Sequence, residues 1–435
     1  MRSPVRRTTF LGTALFTVAA LSLTACGGGS GSGGNSKTVT IWSSIDAPVQ
    51  AGLEKALVAK LKADGDDITI KWNQVQNINQ LIITKIQAGD TPDIAFIPQP
   101  GVVAQMNTLG ATKPMDSVVD MSSLQSSMVP GTLEAGTINN QLMGLLVSAN
   151  VKGLIWYPKV AWDNKGYPTS LKDISQLESL TNQIKSDGGT PWCMGIESDT
   201  ATGWPATDWF ETLIMKQSGA DVYNQWVQHK VLFDSPQVKQ AADEFSKLLF
   251  TSGNTLGGQS AIASTNFGTA GNPMFTQPPK CWMYMQGSFI TGFFPKSATK
   301  NLDANVGVMG FPPATAGGEN PVEGGGDLMT MLNDSANVKT VVKDLSETSI
   351  GNLAAPSSSF ISPHKDFNLS LYPNQVTQNI AKYMYGASTF LFDGSDSMPA
   401  QVGAGTFWKE MTAWISGQED IDTALKNIDQ SWPSS

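Results

Sequence analysis

The spacing of apolar residues changes twice within the first part of the folded chain. Val39, Ile41 and Trp42 cluster as in a short strand, Val49, Leu53, Leu57 and Leu61 recur at helical spacing, and Ile68, Ile70 and Trp72 alternate with polar neighbours. That succession reads as strand, helix, strand. Leu81, Ile82 and Ile86 mark a second helix ended by Gly89 and Pro92, and Asp93-Ile94-Ala95-Phe96-Ile97 is a buried strand running into a Pro98-Gln99-Pro100-Gly101 loop. Such alternation predicts an α/β fold, a mostly parallel sheet covered by helices on both faces, with ligands at the carboxyl ends of its strands. The loops after Trp42 and after Ile97 are two such ends. Far downstream, Phe407, Met411 and Trp414 share one helical stripe and should face the core, whereas Trp408 lies ~100° further around, on a shoulder that a cleft can reach.

Ahead of the first strand, Arg2, Arg6 and Arg7 precede an uncharged apolar run from Thr8 to Ala25 that ends in Leu23-Thr24-Ala25-Cys26. Residues 1–25 therefore read as a lipoprotein signal peptide. Cleavage before Cys26 exposes a thiol for diacylation, and two acyl chains supply the anchoring that one does not. A transmembrane anchor is the competing reading, but it needs ~20 apolar residues and this run is shorter. Arg6-Arg7 loosely resembles a twin-arginine signal, which leaves the export route open. Gly27 to Ser36 contains only Gly, Ser and Asn, so 26–36 is expected to be a flexible leash reaching about 17 Å. With no second run of membrane length, the rest of the chain is expected to be extracytoplasmic.

Composition narrows the chemistry. Among 435 residues, 28 Lys and Arg face 37 Asp and Glu, a net charge of -9 without a basic block, which argues against nucleic acid as a partner. Two histidines and three cysteines nearly exclude a zinc site of the usual ligands, and no cofactor or metal is expected. In an oxidising compartment the two cysteines left after lipidation, Cys193 and Cys281, are expected to be bridged. Twelve tryptophans are many for so acidic a chain, and their flat apolar faces with a polar edge suit an amphipathic ligand.

Several segments, in this order, resemble the solute-binding lipoproteins of ATP-binding-cassette importers for carbohydrates: Val39 to Trp42, Gly89-Asp90-Thr91-Pro92-Asp93-Ile94, Met143-Gly144 leading to Gly153-Leu154-Ile155-Trp156-Tyr157, and Phe407-Trp408 to Ser431-Trp432-Pro433. A narrower set is similar to the alpha-glucoside-binding branch of maltose-binding-protein-like chains. It comprises Trp192-Cys193-Met194-Gly195-Ile196-Glu197, Ala201-Thr202-Gly203-Trp204-Pro205, Asp208-Trp209, Phe392-Asp393-Gly394-Ser395-Asp396 and Met398-Pro399.

The resemblance implies a two-lobed periplasmic-binding-protein fold with discontinuous lobes and a hinge: 37–149 with 326–368 as one lobe, 150–325 with 369–435 as the other. Crossings are expected near 149–152, 324–327 and 367–371, where Gly324, Gly325 and Gly326 make a slim hinge strand. A phosphate-cradling loop at these glycines lacks the Lys-Ser/Thr that should follow. The implied function is capture of alpha-glucosides or related oligosaccharides and delivery to permease subunits, by a monomer held to the membrane through acylated Cys26.

Recognition of a neutral polyol needs aromatic faces together with carboxylates or amides. Trp204, Asp208 and Trp209 offer both, with core packing the alternative for Trp209. By resemblance Glu197 and Trp204 belong to the second lobe's ligand surface, Asp46 to the first, and Phe289 and Trp408 stack on sugar. Gln99, Gln286 and Asp327 complete the candidate set. Where maltose-type relatives have an aromatic, an acid and a base, this chain has Ile97, Pro98, Gln99 and Pro100, so the first lobe must hold its sugar differently. An extracytoplasmic glycan hydrolase is the rival class, but no carboxylate pair stands out as acid and nucleophile. Serine hydrolase chemistry lacks a Gly-x-Ser-x-Gly elbow, and His229 and His364 lie in polar stretches expected to be exposed. The chain is therefore expected not to be an enzyme.

Overall fold

The computed structural model describes residues 37–357 and 359–433. The segments expected to be a signal peptide and a leash, with Cys26, lie outside the described residues. Strands β1 (Thr38–Ser43), β2 (Thr69–Gln74) and β3 (Ile94–Ile97) fall where the apolar periods place them, with helices Ala47–Asp64 and Ile78–Ala88 between. Leu53, Leu57 and Leu61 fix the buried stripe of the first helix. Gly65 and Gly89 end the two helices in the left-handed region, at φ 82° and 69°, where a side chain would be strained. β1 pairs in parallel with β2 on one side and β3 on the other. β3 is buried along its whole length, as its unbroken apolar run requires.

A short hairpin, β4 (Thr137–Ile138) and β5 (Gln141–Leu142), precedes β6 (Leu145–Val151) and β7 (Leu154–Pro158). β7 is the centre of a second sheet, flanked by β8 (Tyr284–Gln286) and β9 (Val306–Gly310). Its apolar residues serve both faces: Trp156 packs with one core cluster, Ile155 and Tyr157 with the other. Cys193 and Cys281 are buried and bridged, Cα to Cα 5.4 Å, as expected.

The expected parallel pairing holds where the alternation predicts it, β1 with β2 and β3, and does not extend to most of the rest of the chain. β10 (Val322–Met331) runs antiparallel to both β3 and β6, and every pairing of the second sheet is antiparallel. The alternation of strand and helix that signals parallel pairing ends after β3, and the later strands arrive from distant segments. β11 (Phe390–Phe392), expected in the second lobe, pairs in parallel with the start of β10. Since β6 takes one edge of β10, β11 and β3 sit end to end along the other.

β6 and β10 lie side by side, with Gly324 opposite Val151, Gly325 opposite Asn150 and Gly326 opposite Ala149. The glycines answer to crowding. A Cβ on Gly324 would stand 2.4 Å from the Asn150 carbonyl oxygen, and one on Gly326, whose φ is 142°, 2.1 Å from that of Ser148. Among the described residues no helix is long and apolar enough to cross a membrane.

Candidate functional site

Lys152, the residue after β6, is the cation around which the site is built. Its ammonium donates to Asp208 Oδ1 at 2.8 Å and also to Asp393, while lying 5.7 Å from the centre of the Trp204 ring. Burial alone would push this ammonium down, but Asp208 and Asp393 outweigh it and hold Lys152 well above the ordinary lysine range. Burial pushes the Asp208 carboxyl up to about 7, with Lys152 opposing. Asp393 is held low because Lys152 and the Ser395 hydroxyl outweigh its desolvation. Oxygens of Asp208, Glu323 and Asp393 lie within 4.8 Å of one another, as in a cation site. The charge among them is the chain's own, because Lys152 bonds two of the three.

The helix Trp204–Val227 supplies the facing wall. Asp208, Glu211 and Thr212 sit three and four positions apart, so they share one face of the helix. Thr212 Oγ1 donates to Glu323 Oε2 on β10 at 2.8 Å, and Glu211 accepts from the Tyr223 hydroxyl and from the backbone N–H groups of Gly394 and Ser395. Asp396 continues the line: burial, reinforced by Asp393, pushes its carboxyl up to about 7. Its Oδ1 accepts from Gln99 Nε2 at 2.7 Å, and Gln99 Oε1 accepts from Asn79 Nδ2 at 2.8 Å. Gln99 therefore leads from the carboxyl end of β3 to the Lys152 cluster. Asp327, on β10, is pushed up to about 7 by burial and by the Asp46 charge.

The aromatic part begins at Trp204, in the first turn of its helix after Gly203 and before Pro205. Its ring lies 5.0 Å from Phe267 and 5.8 Å from Phe289. Glu197 joins the same corner through its neighbours. Its carboxylate accepts from the Asp199 N–H and the Asn266 amide, which hold it below the usual range, and its carbonyl accepts from the Phe267 N–H. Trp408 opens the helix Trp408–Ile415, directly after the π-helical turn Val402–Phe407, and its backbone lies against Gly203. Phe407, Met411 and Trp414 are buried and Trp408 is half-buried, as the helical stripe predicts. Among the described residues, Asp208 Oδ2 and the Trp408 indole N–H are buried without a hydrogen-bond partner. Both are groups that a polyol hydroxyl can satisfy.

The structure thus brings together Glu197, Trp204, Asp208, Phe289 and Trp408, and links Gln99 to them. Asp46 and Asp327 form a separate pair. Two candidates do not fit. Trp209 is fully buried, its ring packed on Trp192, Phe245 and Phe311, so it has no face for a ligand. Gln286 is buried, with its amide turned to the Gly287 N–H and the Tyr284 hydroxyl. Neither histidine is an open polar side chain. His364 is buried beside Ser127 Oγ at 2.9 Å, its ring pushed down to about 4 by burial, and His229 stacks on Trp432 and meets Asp429. Sequence reasoning missed Lys152, Asp393 and Asp396. Their signal was present, since Lys152 closes a predicted crossing and the two aspartates stand in the Phe392-Asp393-Gly394-Ser395-Asp396 segment on which the resemblance to alpha-glucoside binders partly rests.

The profile of the family described as bacterial extracellular solute-binding protein matches residues 46–345. The chain is 32% identical over 406 residues to the alpha-glucosides-binding periplasmic protein AglE of Rhizobium meliloti, covering 92% of this chain and 87% of that one. It is 30% identical over 417 residues to the osmoprotective compounds-binding protein GgtB of Synechocystis sp., covering 96% and 97%. Among solved structures it superposes on the sugar-binding protein MalE of Xanthomonas citri with a TM-score of 0.71 at 13% identity, covering 90% and 95%. The fold is the two-lobed one of periplasmic binding proteins.

Proposed function

We propose that this chain, which belongs to the bacterial extracellular solute-binding protein family, is the substrate-binding component of an ABC sugar importer and captures alpha-glucosides or related oligosaccharides between its lobes. The observation that carries this reading is the meeting of Trp204 with Lys152 and Asp208, an apolar ring face beside charged hydrogen-bonding groups. A sugar has both kinds of surface, C–H faces and hydroxyls. The alpha-glucosides named for AglE support a glucosyl compound as ligand, and the osmoprotective compounds named for GgtB are compatible with a small one.

In this reading residues 37–149 and 326–368 make most of one lobe, 150–325 and 369–435 most of the other, and β11 returns to the first sheet. Gln99 and Asp46 approach the sugar from the first lobe, and Glu197, Trp204, Asp208, Phe289 and Trp408 from the second. Contacts from both sides favour a closed form, since a ligand shifts such an equilibrium only by its differential affinity. The permease reads that closure. Acylated Cys26 and the leash keep a monomer near its permease.

The chain binds sugar and does not cleave it. Asp208 and Asp393, beside the Lys152 that lies over Trp204, are buried and tied to that cation, not set across an open cleft as acid and nucleophile. The test is a thermal-shift panel of maltose, sucrose, trehalose and glucosylglycerol, with product analysis after incubation. A ligand at 100 times its Kd adds about 2.7 kcal/mol of stability. A panel without any shift overturns the sugar reading, and released monosaccharide overturns the non-enzymatic one.

A further inference from the structure

Four aromatic rings form a closed patch that runs from the Lys152 cluster to the surface. Trp204 lies 5.0 Å from Phe267 and 5.8 Å from Phe289, and both of these meet Phe293, at 5.2 Å and 6.5 Å. Exposure rises along it. Trp204, Phe267 and Phe289 are half-buried, whereas Phe293 is 48% exposed and is the only aromatic among the large apolar side chains left open to solvent in the described residues. A surface phenylalanine held against two other rings, Phe267 and Phe289, is restricted in orientation.

Two glycines seat these rings. A Cβ on Gly268 would stand 2.5 Å from Phe293 Cδ1, and one on Gly287 would stand 2.6 Å from Phe289 Cε1. Each ring therefore lies close against glycine backbone, where a Cβ would displace it. Rings held in place before a ligand arrives cost little ordering entropy on binding. The two ends also differ in chemistry: Lys152 and Asp208 at the inner end read hydroxyls, and the phenyl ring of Phe293 at the outer end offers only a face.

We propose that Phe293, with Phe267 and Phe289, forms an outer subsite that takes the far unit of a glucoside longer than a disaccharide, stacking on that unit's C–H face. This rests on the sugar-binding reading above, and it makes Phe293 a determinant of ligand length and not of the inner sugar's identity. Because the outer contact is apolar, it tolerates differences in hydroxyl orientation at the far unit.

The test is calorimetric titration of wild type, Phe293→Ala and Phe293→Leu with two matched pairs, maltose with maltotriose and sucrose with raffinose. Leucine keeps apolar bulk and removes the ring. Wild type is expected to bind the trisaccharide of at least one pair more tightly than its disaccharide. Both variants should weaken that trisaccharide by about three- to tenfold and leave the disaccharide within about twofold. Trisaccharides bound no more tightly than disaccharides by wild type, or a length preference that survives in Phe293→Ala, overturn the subsite alone; the second result would leave the exposed ring to a protein contact. Equal weakening of both members of a pair also overturns it. No binding of any of the four sugars overturns the sugar reading itself, and the subsite with it.

Discussion

Gly203 and Trp408 touch backbone to backbone: a Cβ built on Gly203 would stand 2.3 Å from the Trp408 carbonyl oxygen, and the Gly203 φ is 116°. The contact fixes where the Trp204 helix begins relative to the Trp408 helix, so two candidate sugar-stacking residues are positioned by one glycine. Gly203→Ala should lose about 1–3 kcal/mol of stability from strain, and more affinity for its best disaccharide than a remote glycine substitution such as Gly417→Ala. Denaturant unfolding and calorimetry on both variants check this.

Lys152 is buried among more carboxylates than it can neutralise. Lys152→Met removes the cation and leaves Asp208 and Asp393 without their partner, which should cost about 3–5 kcal/mol. Protonation relieves the repulsion, so the deficit should be smaller at pH 5 than at pH 8. Urea unfolding at the two pH values decides it, and an equal deficit at both would show that charge is not what Lys152 contributes.

Asp327 gives a pH dependence of defined sign. Its carboxyl holds a proton up to about 7 in the folded chain, against about 4 in an unfolded one. Between those values the folded state binds more protons, so this contribution is fully present below about 4 and is lost as pH rises through 7. His364, pushed down to about 4, works in the opposite direction over much of the same range, so the comparison must be between variants. Asp327→Asn should gain stability relative to wild type as pH is raised from 4 to 8, by up to about 4 kcal/mol. A difference that stays flat with pH in paired unfolding curves would refute the assignment.

The two tryptophans of the same helix should fail in different ways. Trp204→Ala should weaken disaccharide binding by about 2–4 kcal/mol with a modest change in stability. Trp209→Ala, which empties a core position, should cost about 3–5 kcal/mol of stability. Titration and denaturant unfolding of both variants separate ligand contact from packing.

That last pair marks how far the sequence alone reaches. β1 to β3 and their helices follow from apolar period, because each is a local pattern with its own caps. The disulfide follows from counting cysteines in an oxidising compartment. Trp408 follows from its angle on a helix. Trp204 and Trp209 look alike as residues, and only the core around Trp192, Phe245 and Phe311 tells them apart. Lys152, Asp208 and Asp393 come from three distant segments and become a cluster only when β6, the Trp204 helix and the segment after β11 converge. A three-residue strand such as Phe390–Phe392 has no period long enough to reveal its partner, so its place beside β10 was not readable either.

The position of β11 also sets an order of events. The sheet that begins at residue 38 is complete only when residues 390–392 reach the edge of β10. A chain emerging from its N-terminus therefore cannot finish its first sheet until nearly all of it has been delivered. Until then the start of β10 presents unpaired backbone groups, a template for pairing with another chain. Truncation just before residue 390 should accordingly yield aggregates rather than a smaller soluble protein.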